Sequence, residues 1–208
     1  MVMDTLINLL GSVAKVKVIK LFVFNPDTAY DLDQIAERTK EAKTKVRKEV
    51  ALMQKMKLVR RKSFYKIVTR KTGKKKKQVR VKTYGFALDQ SFKQLAPLRG
   101  FLVSMNHLGP KDIITKLNRT GNIKLIITAG VFSQDPESRV DLLVVGDHIK
   151  RGMVDSAVRT IEAEIGQELR YAVFETPDFQ YRLGLYDKLI HDILDFPHQK
   201  IVNKLGLR

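Results

Sequence analysis

The sequence predicts an α+β protein built as two domains. Up to residue 56 the apolar residues recur every three or four positions, which is typical of amphipathic helices. From Leu58 to Arg70 β-forming residues predominate, and from Gln78 to Tyr84 the residues alternate strictly, with Arg80, Lys82 and Tyr84 on one side, which together indicate two strands. Farther along, two continuous apolar runs at 123–130 and 140–145 have the pattern of buried strands, and helical patterns follow them. We expect these strands to belong to a small mixed sheet that is covered by the helices.

Composition narrows the class of protein. The chain has 208 residues, of which 44% are hydrophobic, and this is enough to build proper cores. It contains no cysteine, which excludes disulfides, thiolate metal sites and cysteine nucleophiles. No apolar run approaches the ~18 residues of a membrane span, and the N-terminus lacks a signal-peptide pattern. We therefore expect a cytoplasmic protein that does not bind membranes.

The positive charge is concentrated in the first part of the chain. The net charge is +17, and residues 1–90 hold 23 Lys and Arg against 8 Asp and Glu, whereas residues 91–208 hold 16 against 14. A basic domain joined to a nearly neutral one is typical of nucleic-acid-binding proteins. An anionic membrane surface would attract the same charge, but no basic amphipathic helix with Trp or Phe anchors accompanies it.

The first twenty-four residues are helical by pattern, with a break at Gly11 and Ser12. Ser12 can cap a second helix, and a proline turn at 25–27 ends it. Residues 28–30 are long enough for a short strand. In the second helix we expect one set of residues to face inward and three lysines to face solvent: Val13, Val16, Ile19 and Val23 inward; Lys15, Lys17 and Lys20 outward.

Two further helices follow. Asp31 is placed to cap the first, with Gln34 three residues on as in a capping box, and this helix ends near Thr39. The second begins around Glu41 or Ala42 and runs to about Met56. Its inward stripe is Ala42, Val46, Val50 and Met53, and its outward side holds Thr44, Arg47, Lys48, Ala51 and Lys55 with Lys43 and Lys45 on the flanks. An ordinary solvated helix would show the same pattern.

The segment after this helix makes nucleic-acid binding the better interpretation. Residues 58–70 and 78–84 are predicted strands, and the lysine-rich stretch 71–77 between them is the predicted hairpin loop. Lysines at such a loop also discourage aggregation, which is the alternative explanation. A helix, a turn, a basic helix and a basic hairpin in this order form a winged helix-turn-helix, which places its second helix in the DNA major groove.

These patterns predict the residues that contact DNA. Thr44, Arg47 and Lys48 are the expected contacts to base edges, because they point outward on the first two turns of the second helix. The complete predicted set is Lys43, Thr44, Arg47, Lys48, Lys55, Arg70, Lys71, Lys74, Lys75, Lys76, Lys77, Arg80 and Lys82.

The segment Leu10–Asp27, together with Ala36, Val46–Val50 and Leu58–Val59, resembles a family of small bacterial winged helix-turn-helix transcriptional regulators. In that family a degenerate nucleotidyltransferase-like domain follows the winged helix. The expected organisation is a winged helix at 1–88, a helical connector at 89–120, a nucleotidyltransferase-like domain at 121–197 and a tail at 198–208.

The second half is expected to follow the order strand, strand, helix, strand, helix. Within the connector, Ser91 can cap a helix, and Pro110 is placed to begin another. After the two strands we expect a helix at 150–166, a strand at 168–174, a single helix at 181–196 and a weakly amphipathic tail. The helix at 150–166 is expected to bury Met153, Ala157, Val158, Ile161 and Ile165.

The nucleotidyltransferase resemblance implies acidic residues that this chain lacks. Active members carry a Gly-Ser turn, an Asp-x-Asp pair and a further carboxylate, which together hold two divalent metals. Here Val131 follows Gly130, Arg139 takes the first acidic place, and only Asp141 remains. We therefore expect no enzymatic activity, no metal and no cofactor, and a structural role or a salt bridge to Arg139 for Asp141. His107 is expected to be structural.

The predicted function is a transcriptional regulator that binds double-stranded DNA. The alternatives are an RNA- or ribosome-associated protein and a nucleotidyltransferase with altered metal ligands. The absence of an RNP-like aromatic motif and of a GXXG loop favours DNA over RNA. A homodimer is expected because paired half-sites multiply affinity. A ligand, a protein partner and self-association all stay open for the second domain.

Overall fold

The computed structural model describes residues 2–72, 75–105, 108–135 and 137–207, with the backbone alone at 2–4, 70–72 and 75–76. Within these residues the chain consists of helices, a two-stranded sheet and a four-stranded sheet. This confirms the predicted α+β class. The chain divides into one unit of residues 1–106 and 163–167 and another of residues 107–162 and 168–208. The boundaries predicted at 88, 120 and 197 differ from this division.

The first unit begins with four helices, α1 (Val2–Leu10), α2 (Val13–Phe24), α3 (Leu32–Thr39) and α4 (Lys43–Lys55). Two predicted caps are confirmed. The Ser12 hydroxyl accepts a hydrogen bond from the Lys15 amide at 2.9 Å, and Asp31 and Gln34 form a complete capping box.

Helix α2 is buried nearly all round. It packs against α1, α3, α4 and a further helix of the unit, α5 (Leu95–Ser104). Three expectations for α2 were wrong. Lys20, expected in solvent, is only 3% exposed, and the Lys17 side chain is only 13% exposed and forms an ion pair with Glu41 at 2.8 Å. Val13, expected inward, is 38% exposed because it lies at the helix start. A helix that packs against neighbours on several sides has no continuous solvent-exposed face.

The buried ammonium of Lys20 is stabilised by one backbone acceptor. Its Nζ donates to the carbonyl oxygen of Glu164 at 2.9 Å, and both residues belong to the first unit. Burial lowers the pKa of Lys20 from 10.5 to about 8, although the nearby Glu164 charge acts in the opposite direction. Folding therefore favours the neutral amine.

We expect the Lys20 site to make stability increase with pH. Between pH 8 and 10.5 the unfolded chain holds a proton on Lys20 that the folded chain has released, so the cost of burying the charge is complete below pH 8 and disappears across this window. The change amounts to about 3 kcal/mol. Urea unfolding of the wild type and of Lys20→Met at pH 7 and pH 10 measures it. Equal pH dependence in the two proteins would contradict the buried charge.

The inward face of α4 is largely as predicted. Val46, Val50 and Met53 are at most 1% exposed. Ala42 was expected among them but is exposed, because α4 begins one residue later and Ala42 occupies the cap position. Glu49 is buried as well, and it accepts a hydrogen bond from the Ser12 hydroxyl at 2.8 Å.

The hairpin is longer than predicted. Strands β1 (Val59–Thr72) and β2 (Lys75–Leu88) pair antiparallel, from Val59 opposite Leu88 to Thr72 opposite Lys75. Most of the predicted loop at 71–77 is therefore strand, because the ladder continues through the lysines. Gly73 and Lys74 lie outside the described residues. The short strand expected at 28–30 is a single bridge between Tyr30 and Phe86.

The predicted connector is divided between the two units. Helix α5 belongs to the first unit, and α6 (Pro110–Leu117) belongs to the second and begins at Pro110 as predicted. Gln94, rather than Ser91, occupies the cap position of α5. The Ser91 hydroxyl instead donates to the Asp89 carboxylate at 2.7 Å.

The sheet of the second unit has the order β5-β4-β3-β6. Its strands are β3 (Asn122–Thr128), β4 (Leu142–Asp147), β5 (Tyr171–Glu175) and β6 (Gln199–Asn203). β4 pairs parallel to β5, and the other two pairings are antiparallel. The tail beyond residue 198, expected as an amphipathic segment, supplies β6. It covers the second edge of β3, whose backbone groups need partners on both sides.

The remaining helices are α7 (Arg151–Ile165), α8 (Thr176–Gly184) and α9 (Lys188–Asp195). The single helix predicted at 181–196 was wrong. The chain breaks at Tyr186, which has a φ of 55°, and Asp187 then caps α9 by accepting from the Leu189 amide at 3.0 Å. In α7, Met153 is 40% exposed rather than buried. None of the helices described is both long enough and apolar enough to cross a bilayer.

Candidate nucleic-acid interface

The outward face of α4 presents a row of cations. Val46, Val50 and Met53 fix the orientation of the helix, so the residues between them must point outward. The exposed side chains are Lys43, Thr44, Lys45, Arg47, Lys48, Ala51, Leu52 and Lys55. Lys43 forms an ion pair with Asp33 at 2.5 Å. Within the described part of the chain, Lys45, Arg47, Lys48 and Lys55 form no ion pair, so their charge stays available to a ligand.

Only three residues separate the end of α4 from the start of the hairpin. α4 ends at Lys55, and Lys57 turns the chain with a φ of 61°. The Leu58 amide then donates to the Met53 carbonyl at 2.9 Å, and Leu58 and Val59 are 2% and 3% exposed. The base of the hairpin is thus fixed to the C-terminal turn of α4.

A second attachment joins the hairpin to α3. Lys66 of β1 forms an ion pair and hydrogen bond with Asp31, the cap of α3. Burial by itself would raise the pKa of Asp31, but hydrogen bonds from Lys66 and from the Gln34 amide outweigh it and hold the pKa below its usual value. Lys66 therefore has a structural role in holding β1 to the start of α3. The sequence pattern of the strand did not indicate this contact.

The structure describes the predicted hairpin contacts to different extents. Lys77, Arg80 and Lys82 are exposed on β2. Arg70, Lys71, Lys75 and Lys76 have their backbone in the strands, where Arg70 is opposite Lys77 and Lys71 is opposite Lys76. Lys74 falls outside the described residues. Residues 59–88 contain twelve Lys and Arg and no acidic residue, so the hairpin has no acid of its own to neutralise it.

Sequence reasoning missed three exposed side chains of the hairpin. Tyr65, Ile67 and Tyr84 are 57%, 69% and 76% exposed. Strand alternation placed Tyr84 beside Arg80 and Lys82, but only the cations were interpreted as contacts. The Arg80 guanidinium lies over the Tyr65 ring, 4.6 Å from its centroid. Aromatic and cationic groups are therefore combined on one side of the hairpin.

In the second unit a buried carboxylate is saturated by hydrogen bonds. Asp141 is 1% exposed and accepts from the amides of Val131 and Arg170 at 3.0 and 2.8 Å. The Arg170 guanidinium adds two more hydrogen bonds, both at 3.1 Å, and this contact raises the pKa of Arg170. The expected partner Arg139 pairs instead with Asp192 at 3.0 Å. A Cβ on Gly130, whose φ is 53°, would lie 2.0 Å from the Asp141 carboxylate.

The two units therefore differ in what their charged groups are available to bind. The first offers unneutralised cations on α4 and on the hairpin, whereas the second has its buried acid bound by an arginine. Among the residues described, no group of three or more His, Asp or Glu side chains could hold a metal ion. No family model matches the chain, and neither a curated protein nor a solved structure matches it.

Proposed function

We propose that the protein is a transcriptional regulator that binds double-stranded DNA through a winged helix-turn-helix. In this proposal α3 and α4 are the helix-turn-helix, α4 is the recognition helix, and the β1–β2 hairpin is the wing. The observation that carries it is the set of exposed, unpaired cations on α4, followed within a few residues by a hairpin without acids. Exposed cations of this kind on both elements would pair with the phosphates of a duplex.

The roles within this surface follow from side-chain chemistry. Arg47 and Lys48 lie in the first half of α4, next to the small exposed Thr44, and the N-terminal part of a recognition helix is what contacts base edges. An arginine can make two hydrogen bonds to guanine. Lys45, Lys55 and Lys77 are assigned to phosphates. Lys43 is bound by Asp33, so its contribution requires that this exposed ion pair be given up, which costs little.

We expect Arg47→Ala to reduce discrimination between sequences. Affinity for a site selected from random duplex DNA should fall by ~1–3 kcal/mol, while affinity for unrelated duplex changes little, because the substitution removes hydrogen bonds to a base. The measurement is fluorescence anisotropy with both duplexes. The matched control is Lys188→Ala, which removes an exposed cation from the second unit and should alter neither affinity. Equal weakening on both duplexes would contradict the role of Arg47.

The hairpin lysines provide the complementary arm of the same experiment. Replacing Lys75, Lys76 and Lys77 with alanine should weaken binding to every duplex alike. If about six phosphates are neutralised, the slope of log affinity against log salt is about −5 in the wild type and becomes shallower by about 1 for each phosphate that is no longer neutralised. Structured RNA of equal length that competes better than duplex DNA would replace this proposal with RNA binding.

We infer that the second unit does not transfer nucleotides. The single acid at the position that an Asp-x-Asp pair would occupy is bound by Arg170 and two amides, and Arg139 is held by Asp192. This donor set does not fit two divalent metals, which need several carboxylates. Titration calorimetry with nucleoside triphosphates and Mg²⁺ tests it, and magnesium-dependent binding with release of pyrophosphate would overturn it.

A further inference from the structure

One face of the β1–β2 hairpin, which we name the tyrosine face, is formed by Tyr65, Ile67, Arg80, Lys82 and Tyr84. In the register of the hairpin, Tyr65 is opposite Lys82 and Ile67 is opposite Arg80. Tyr84 is two residues from Lys82 and therefore shares its side of the sheet. All five are exposed. A cluster of large exposed side chains on one face is typical of an interaction site.

The charge of this face narrows the choice of partner. Arg80 lies 4.6 Å from the centre of the Tyr65 ring, Lys82 is exposed beside it, and residues 59–88 include no acid. An apolar protein partner would gain nothing from these cations. A polyanion with flat apolar groups would use both components, because phosphates pair with cations and bases stack on aromatic rings.

The exposed tyrosine rings favour unpaired bases over paired bases as ligands. In a duplex the faces of the bases are covered by their neighbours, and only edges and phosphates are presented to a protein. Stacking on a tyrosine requires a base whose face is open. Tyr65 and Tyr84 are diagonal neighbours across the two strands, since Tyr84 is opposite Ser63. Diagonal neighbours are about 7 Å apart, which leaves room for each ring to stack on a different base.

We propose that the tyrosine face binds unpaired DNA bases that adjoin the duplex held by α4. This inference rests on the duplex binding proposed above and specifies its target further. The preferred ligand is then a duplex with a single-stranded neighbour, as at an opened or frayed segment, rather than a uniform duplex. Tyr65 and Tyr84 stack on the bases, and Arg80 and Lys82 pair with the phosphates of the same strand.

Three DNA probes separate stacking from phosphate binding. The first is the selected duplex, the second is that duplex with a short thymidine extension, and the third carries an extension of equal length made of abasic sites. The third probe has the same additional phosphates as the second but no bases. We expect the thymidine extension to tighten binding by about tenfold or more over the abasic one, because each stacked base contributes about fivefold or more and two rings are available for stacking.

Variants of the full chain test whether the tyrosine rings cause the tighter binding of the thymidine extension. Tyr65→Thr with Tyr84→Thr keeps β-forming residues at exposed positions, so folding is retained, and a thermal melt verifies it. This pair should abolish the gain from thymidine and leave duplex affinity unchanged. The pair Tyr65→Phe with Tyr84→Phe keeps the rings and should keep the gain. Tyr181→Ala removes a tyrosine of the second unit that is 67% exposed, and it should behave as the wild type.

The outcomes distinguish this inference from the function on which it rests. Normal duplex binding without a gain from thymidine overturns the tyrosine face alone. Ring-dependent binding of the probe with the thymidine extension, with no binding of the duplex that lacks an extension, overturns the proposed function and supports the tyrosine face. Better competition by single-stranded RNA overturns the assignment to DNA. Loss of self-association in the threonine pair, measured by sedimentation with unchanged DNA affinities, would show that a second copy occupies the face instead and would overturn the proposal.

Discussion

Asp141→Ala is expected to lower the free energy of unfolding of the second unit by about 3–4 kcal/mol. The substitution leaves the amides of Val131 and Arg170 without their acceptor at a site that is 1% exposed. The Arg170 guanidinium loses its partner too, but its side chain is 52% exposed, so water compensates for part of that loss. Most of the effect therefore comes from the two amides that lose the buried Asp141 carboxylate as their acceptor.

Urea unfolding followed by circular dichroism measures the change, and hydrogen exchange locates it in strands β4 and β5. The control is Asp195→Ala, which removes an exposed acid at the end of α9 and should stay within ~0.5 kcal/mol of the wild type. If the two variants unfolded alike, the Asp141 carboxylate would have no structural role, and its presence in the chain would need another explanation.

Local rules were sufficient for much of the first unit. The caps at Ser12 and Asp31 need only a polar side chain and an amide three residues away, so the sequence specifies them directly. The stripe of Val46, Val50 and Met53 and the alternation along β2 depend on a period that any window reveals. These features place the cations of α4 and β2 in solvent, and the predicted exposure of Arg47, Lys48, Arg80 and Lys82 followed from them.

Contacts between distant residues were not predictable in this way. The burial of Lys20 depends on the carbonyl of Glu164, which is 144 positions away in the chain. Arg139 is only two residues from Asp141 in the sequence, yet Asp141 is bound by Arg170, which is 29 residues away. The parallel pairing of β4 with β5 brings the backbone of Arg170 next to Asp141. The residues of β6, Gln199–Asn203, do not alternate between polar and apolar, and a five-residue segment is too short to be distinguished by pattern from about one and a half turns of helix.

Gly85→Ala is expected to destabilise the first unit by about 2–4 kcal/mol. An added Cβ would lie 2.3 Å from the Tyr30 carbonyl oxygen and 2.7 Å from the Phe64 ring. The carbonyl is backbone and cannot rotate away. It also accepts the Phe86 amide at 2.8 Å, while the Tyr30 amide donates to Phe86 at 2.9 Å. Moving the strand far enough to admit a methyl group would break both hydrogen bonds.

Gly100→Ala is the matched control in the same unit. Gly100 lies inside α5, and a Cβ there would meet nothing within 4 Å. Alanine should therefore stabilise the unit by ~0.5–1 kcal/mol, since glycine is a poor helix former. Thermal melts of the two variants should shift in opposite directions, and a shift in the same direction would contradict the close approach of β2 to Tyr30.

Gly85→Ala and Gly100→Ala also test whether the attachment of the hairpin to α3 contributes to DNA binding. Tyr30 and Asp31 are adjacent, and they attach α3 to β2 and β1 respectively, through Phe86 and Lys66. Gly85→Ala removes the first attachment while the outward cations of α4 stay in place. We therefore expect DNA affinity to fall below that of Gly100→Ala at a temperature where both variants are folded, because a hairpin that has lost one of its attachments is less ordered before binding and must be ordered further on binding. Equal affinities would mean that the remaining attachments at Leu58 and Lys66 are sufficient to position the hairpin.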